Sequence, residues 1–157
     1  MCDERPLNWA LTAAAGGVVT AIAGVIAAIA LNGSYYYVAG SPAAIIVAGI
    51  AALAAATSLV AAIVAANAWF SCMVAERPSA AGPCKGTLEN FNSAAGALAA
   101  VLFIQGYASL AAAGLAWVPW VGGVPMYAVL GALLVQAALI PSLIVFWQRM
   151  RDCIRTH

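Results

Sequence analysis

The chain has 157 residues, 66% of them hydrophobic and only 7% charged, with a formal net charge of +1. A soluble domain carries roughly 25% charged residues, so water cannot solvate most of this surface and a bilayer must. The near-neutral balance provides neither a basic field for nucleic acid nor an acidic tail, which leaves membrane lipid and other membrane proteins as partners.

Charge placement is more informative than charge count. The acids are Asp3, Glu4, Glu76, Glu89 and Asp152, and the bases are Arg5, Arg77, Lys85, Arg149, Arg151 and Arg155. Residues 6–75 and 90–148 therefore hold no charged side chain. A single crossing takes about 20 residues at about 1.5 Å each. Each block is far too long for one crossing and suits two crossings joined by a turn. Asp3 and Glu4 occupy the place of a basic signal-peptide n-region, and the segment is too acidic for an Arg-rich presequence, so any targeting signal is expected to be internal.

In chain order, helix 1 is predicted over 9–31, ending at the breaker Asn32-Gly33-Ser34. Tyr35-Tyr36-Tyr37 beside that turn fits an interfacial aromatic belt. Helix 2 is predicted over 43–74, opened by Gly40-Ser41-Pro42 and long enough to tilt or to emerge near Trp69-Phe70. The 76–92 connector carries Pro78, Gly82, Pro83 and Gly86 and is expected to be irregular. Helix 3 follows over 93–115, capped by Asn92 or Ser93. An uncharged aromatic turn, WVPWVGGVP, precedes helix 4 over 126–148, with Pro141 as a kink and a polar, basic tail beyond it. The fold class is thus all-α: a single domain of two transmembrane hairpins with both termini on one side. All charged residues and Cys2, Cys72, Cys84 and Cys153 then fall on that side.

Lipid tails are as apolar as Leu, so helices in a bilayer associate through close approach of small residues. Helix 1 offers Gly16, Thr20, Gly24 and Ala28 at spacing four, and helix 2 offers Ala44, Ala48, Ala52 and Ala56. Helix 3 has Gly106 and Gly114, and helix 4 has Ala128, Gly131 and Ala132. Gln105 and Gln136 both fall ten to twelve residues into their helices, near the midplane. They read as an interhelical hydrogen bond; the functional alternative is a polar pore lining.

The chemistry of a carrier or an enzyme is missing from the motifs. Proton, ion and electron carriers place ionisable groups or metal ligands inside the membrane, and both long blocks lack charge. The only histidine is His157, which excludes paired-His haem ligation. There is no HExxH, GxSxG or CxxC. No catalytic residue, cofactor or metal is therefore assigned. The four cysteines allow reduced spectators, a zinc site, acylation or two disulfides. Cys72 and Cys84 are poorly spaced for zinc, and two bridges would have three possible connectivities.

The segment SCMVAERPSAAGPCKGTLENFNSAAGALAA, residues 71–100, resembles the region between helices 2 and 3 of the mitochondrial Tim-type four-helix family. That family includes protein-import channel subunits and an accessory subunit of respiratory complex I. The matching features are Cys72, Glu76-Arg77-Pro78, Asn90 or Asn92, and Gly96. Import subunits carry a basic-acidic pair before the Asn. Here Lys85 and Glu89 stand with an inserted SAAGPCKG, which favours the structural branch. The resemblance implies an inner-membrane protein with termini toward the intermembrane space, although the positive-inside rule alone would place the basic face in the matrix or cytoplasm. It also implies Cys2–Cys72, with Cys84–Cys153 as the remaining pair. The expected function is a non-catalytic accessory subunit of complex I (NADH:ubiquinone oxidoreductase) that contacts other membrane subunits and lipid. An import-translocase, transporter or channel subunit and a bacterial four-helix subunit are the alternatives.

Overall fold

The computed structural model describes residues 2–32, 42–114 and 123–157. Four long helices, α1 (Arg5–Asn32), α2 (Pro42–Glu76), α3 (Ala81–Gly114) and α4 (Gly123–Thr156), are joined at one place by a short 3-10 turn, Pro78–Ala80. Each has a segment long and apolar enough to cross a membrane. The tyrosine run at 35–37 and the residues from Trp117 to Gly122 lie outside the described residues.

The helices pack in chain order, α1 on α2, α2 on α3 and α3 on α4. Burial follows from that order. Only 22% of the spanning segment is buried in α1 and in α4, against 39% in α2 and 44% in α3. The edge helices accordingly bury one stripe each. In α1 it is Leu7, Ala14, Val18, Ala21 and Val25, and in α4 it is Val129, Ala132, Gln136, Leu143, Met150 and Ile154. Steps of three and four along each stripe keep one face inward. The result is a curved row of helices whose two edges, α1 and α4, are held together mainly at the charged end.

Several boundaries differ from those expected, and α4 already begins at Gly123, inside the expected aromatic turn. Helix 1 starts at Arg5, where Asp3 Oδ1 accepts a 3.0 Å hydrogen bond from the Arg5 amide, a local cap of the first turn. The 76–92 connector is not irregular: the chain reverses within Arg77–Ala80 and α3 is helical from Ala81. Pro78 drives Arg77 out of the helical region, to φ −131° and ψ 78°, which ends α2 at Glu76. Pro83 falls in the first turn of α3, where backbone N–H groups have no helical partner to lose. Asn92 and Ser93 are therefore interior helix residues, not caps.

The polar tail, in turn, is the last part of α4, which runs uninterrupted through Pro141 to Thr156. Met150 and Ile154 extend the buried stripe into the charged region, and this fixes the tail as helix. At about 1.5 Å per residue, 34 residues measure about 51 Å, well beyond a hydrocarbon core of about 30 Å. With the charges gathered at one end, the charged turns of α3 and α4 stand outside the core at that end.

The α1–α2 seam is a close backbone approach. A Cβ at Gly17 would lie 2.8 Å from the Ala55 Cβ, and one at Gly24 would lie 2.8 Å from the Ala48 Cβ and 3.0 Å from the Ala44 carbonyl. Gly24 is thus in the contact, as the small-residue stripe required. Gly16 is not, because nothing lies within 4 Å of a Cβ built there, and Thr20 is exposed with its hydroxyl bonded to the Gly16 carbonyl. The reason is periodicity. The interface repeats at seven, Gly17 to Gly24, whereas spacing four drifts off the face within two turns. Across the next seam Gly49 and Gly106 face each other. A Cβ on either would come within 3.0 Å of the other's carbonyl oxygen. Gly114 and Gly131 have open space.

These contacts give a direct test. Gly24→Leu should destabilise the bundle by about 1–3 kcal/mol through forced separation of α1 from α2. Gly16→Leu should stay within about 0.5 kcal/mol. Thermal unfolding of the two variants in the same detergent measures both.

Candidate functional site

Two regions concentrate the polar and sulfur chemistry: the charged end of the bundle and the α3–α4 seam. At the charged end the cysteines pair as Cys2–Cys72, with Cα atoms 5.7 Å apart, and Cys84–Cys153, 5.8 Å apart. No described cysteine is free. The first bridge joins the start of α1 to the end of α2, and the second joins the start of α3 to the end of α4. Each hairpin is thereby a covalent ring, closed opposite its own turn. By chain entropy a bridge across some 70 residues contributes on the order of 4 kcal/mol, a ceiling where the unfolded helices stay in the membrane.

Non-covalent contacts tie the rings to each other. Arg77 Nη1 donates to the Ile154 carbonyl at 3.1 Å and to that of Arg155 at 3.5 Å, placing a cation on the negative end of α4. Ser79 Oγ donates to the His157 carbonyl at 2.8 Å. Glu4 pairs with Arg151 at 2.9 Å, across the two edges of the row. Both side chains of that pair are partly exposed, so it contributes about 1 kcal/mol at most. Arg151 also lies 5.3 Å from the centre of the Trp147 ring. Trp147 in turn packs edge-on against Trp69, 5.8 Å away, and beside Phe91.

Two amide pairs flank α3, one beside the charged end and one deeper in the apolar span. Asn67 and Asn92 exchange hydrogen bonds of 3.1 and 3.3 Å between α2 and α3, and Asn67 Nδ2 also reaches the Ile63 carbonyl at 2.7 Å. Gln136 Nε2 donates to Gln105 Oε1 between α4 and α3, with both residues fully buried. Gln136 precedes Arg149 by thirteen residues, about 20 Å of helix, so the pair lies past the middle of the core toward the uncharged end. Gln105 Nε2, Gln136 Oε1 and the Ser109 hydroxyl remain buried without a hydrogen-bond partner. The pair therefore engages two of its four polar atoms.

A cleft of about 660 Å³ lies between α1 and α4. Leu11, Val18 and Ile22 line it from α1, Ile140, Leu143 and Ile144 from α4, and Leu59 and Leu98 form its floor. Asn8 and Thr12 supply its polar atoms. Gln105 and Gln136 do not line it, so the cleft is an apolar side opening and the glutamines serve the α3–α4 seam.

Several of these residues escaped the sequence reading. Asn67 was detectable as an isolated amide in a charge-free block, with Asn92 as its counterpart. Gly17 and Gly49 were hidden among many small residues. The capping role of Arg77 depends on α4 extending beyond Gln148.

The architecture defines a class: a polytopic helical membrane protein whose charged end is closed by two disulfides. No protein-family model, curated protein sequence or solved structure matches this chain.

The amide pair yields a double-mutant cycle. Gln105→Leu alone strands the Gln136 amide and Gln136→Leu strands that of Gln105. The double Leu variant should therefore be more stable than the sum of the single losses predicts, with a coupling of about 0.6–1.7 kcal/mol by reversible unfolding in detergent.

Proposed function

We propose that this chain is a non-catalytic structural subunit of a larger membrane complex, which it braces through the outer faces of its edge helices. The observation that carries the reading is the uneven use of small residues. Gly17 and Gly24 are consumed in the α1–α2 seam, whereas Gly16 and Thr20 stand on the adjoining, exposed flank of the same helix. A small-xxx-small surface facing lipid provides for close approach of a helix from another chain. The cleft beside it leaves α1 and α4 without a neighbour on their second flank.

The particular complex follows from the resemblance of residues 71–100 to the Tim-type family: a mitochondrial inner-membrane respiratory assembly, complex I, with the charged end toward the intermembrane space. The two disulfides support an oxidising compartment at that end. The apolar cleft favours a second reading, a translocase or channel subunit that opens sideways to lipid.

Co-migration with NADH dehydrogenase activity on a native gel is the expected result, with Gly16→Leu and Thr20→Leu weakening incorporation while leaving the isolated subunit folded. Recovery as a free monomer from native membranes removes the structural reading. Ion conductance by the purified chain in planar bilayers would favour the translocase reading.

A further inference from the structure

Each disulfide has a third metal-ligating side chain beside it. Cys84, Cys153 and His157 place their ligand atoms within 4.8 Å of one another, as do Cys2, Cys72 and Glu76. The third residue is in both cases one helical turn beyond a cysteine: His157 follows Cys153 by four positions and Glu76 follows Cys72 by four. Spacing of four sets two ligands on one helix face, as in helical zinc sites. The histidine set is the better of the two. Its three ligands are the softer donors, Cys84 is fully buried, and the His157 ring is already held against Cys153, with Nδ1 2.9 Å from the Cys153 carbonyl and 3.9 Å from its sulfur.

We propose that Cys84, Cys153 and His157 form a redox-gated site for a thiophilic divalent cation such as Zn²⁺. In the oxidised chain the two sulfurs are bonded to each other and the site is closed. A dithiol gives two electrons and its own two protons to the S–S bond and leaves as a disulfide; a phosphine gives two electrons, takes the oxygen of one water molecule and leaves as a phosphine oxide, and that water's two protons complete the two thiols. Zn²⁺ then displaces both thiol protons, which pass to solvent, and the imidazole takes the tautomer protonated on Nε2, so that Nδ1 releases the Cys153 carbonyl and offers its lone pair to the metal.

The geometry suits the exchange. Two thiolates at about 2.3 Å from a tetrahedral ion stand about 3.8 Å apart. Sulfurs on helices whose Cα atoms are 5.8 Å apart reach that separation by side-chain rotation alone. Two sulfurs and one nitrogen leave the fourth position to water or a small thiol. The metal would replace the bridge as the link between the ends of α3 and α4, so the hairpin stays closed in either redox state.

The test uses the full chain in detergent with Cys2→Ser and Cys72→Ser, so that one thiol pair remains, and Co²⁺ as a spectroscopic probe. After phosphine reduction, one equivalent of Co²⁺ should give thiolate-to-cobalt charge-transfer bands and the strong visible absorption of a tetrahedral site. Zn²⁺ should displace it. The oxidised protein should give neither. Adding His157→Ala should weaken binding at least about tenfold, and adding Cys84→Ser should abolish the charge-transfer bands. Equal binding by the oxidised protein overturns the proposal, as does an unchanged affinity in His157→Ala. Loss of helical circular dichroism on reduction overturns it too, because the ligands then have no α3–α4 frame. The same titration of the otherwise wild-type chain with Cys84→Ser and Cys153→Ser reads the Glu76 set. Binding there as tight as at the histidine set also counts against the assignment.

Discussion

In hydrocarbon an apolar side chain gains nothing by leaving a lipid tail for another helix, so these helices need a different reason to stay together. Each seam supplies one. Between α1 and α2 the reason is backbone proximity, since Gly17 and Gly24 let Ala55 and Ala48 come in to distances that a further methyl would forbid. Between α2 and α3 it is the Gly49–Gly106 approach together with the Asn67–Asn92 pair. Between α3 and α4 it is the Gln105–Gln136 pair.

The charged end works differently. Water reaches it, so ordinary burial of Leu7, Phe91, Met150 and Ile154 contributes there, and ion pairs are weakened by solvent. Helices that overshoot the hydrocarbon by several turns would fray if left alone. The bridges, the Arg77 cap on α4 and the tryptophan cluster fix them instead. The membrane region sets which helices are neighbours, and the projecting region locks their ends.

The sequence made the number of helices, their antiparallel order and the gathering of charge at one end legible, because these follow from where charge is absent over long stretches. The Gln105–Gln136 contact was equally readable, since two lone amides in separate apolar blocks have few other partners. Helix ends were less so. Pro78, Gly82, Pro83 and Gly86 resemble a loop to any local rule, yet a first helical turn tolerates Pro83, and Cys84 and Phe91 anchor the segment through α4. Local composition could not reveal an anchor some seventy residues away. The small-residue stripes were ambiguous for a statistical reason: with Ala the commonest residue, spacing four and spacing seven both find candidates, and only the neighbouring helix chooses Gly17 over Gly16.

The way the sulfurs are matched also decides which parts of the molecule can shift. Neither bridge spans from the first hairpin to the second, so no covalent tie crosses between α1 and α4. Had Cys2 joined Cys153 instead, the row would be stapled into a closed circle and its side opening held at one width. As built, the two hairpins behave like the covers of a book, with the α2–α3 seam as the spine and the Glu4–Arg151 pair as a light latch. A neighbour that wedges between the covers releases that latch and works against the Arg77 and Trp69 contacts to α4 nearer the spine, while each cover keeps its shape.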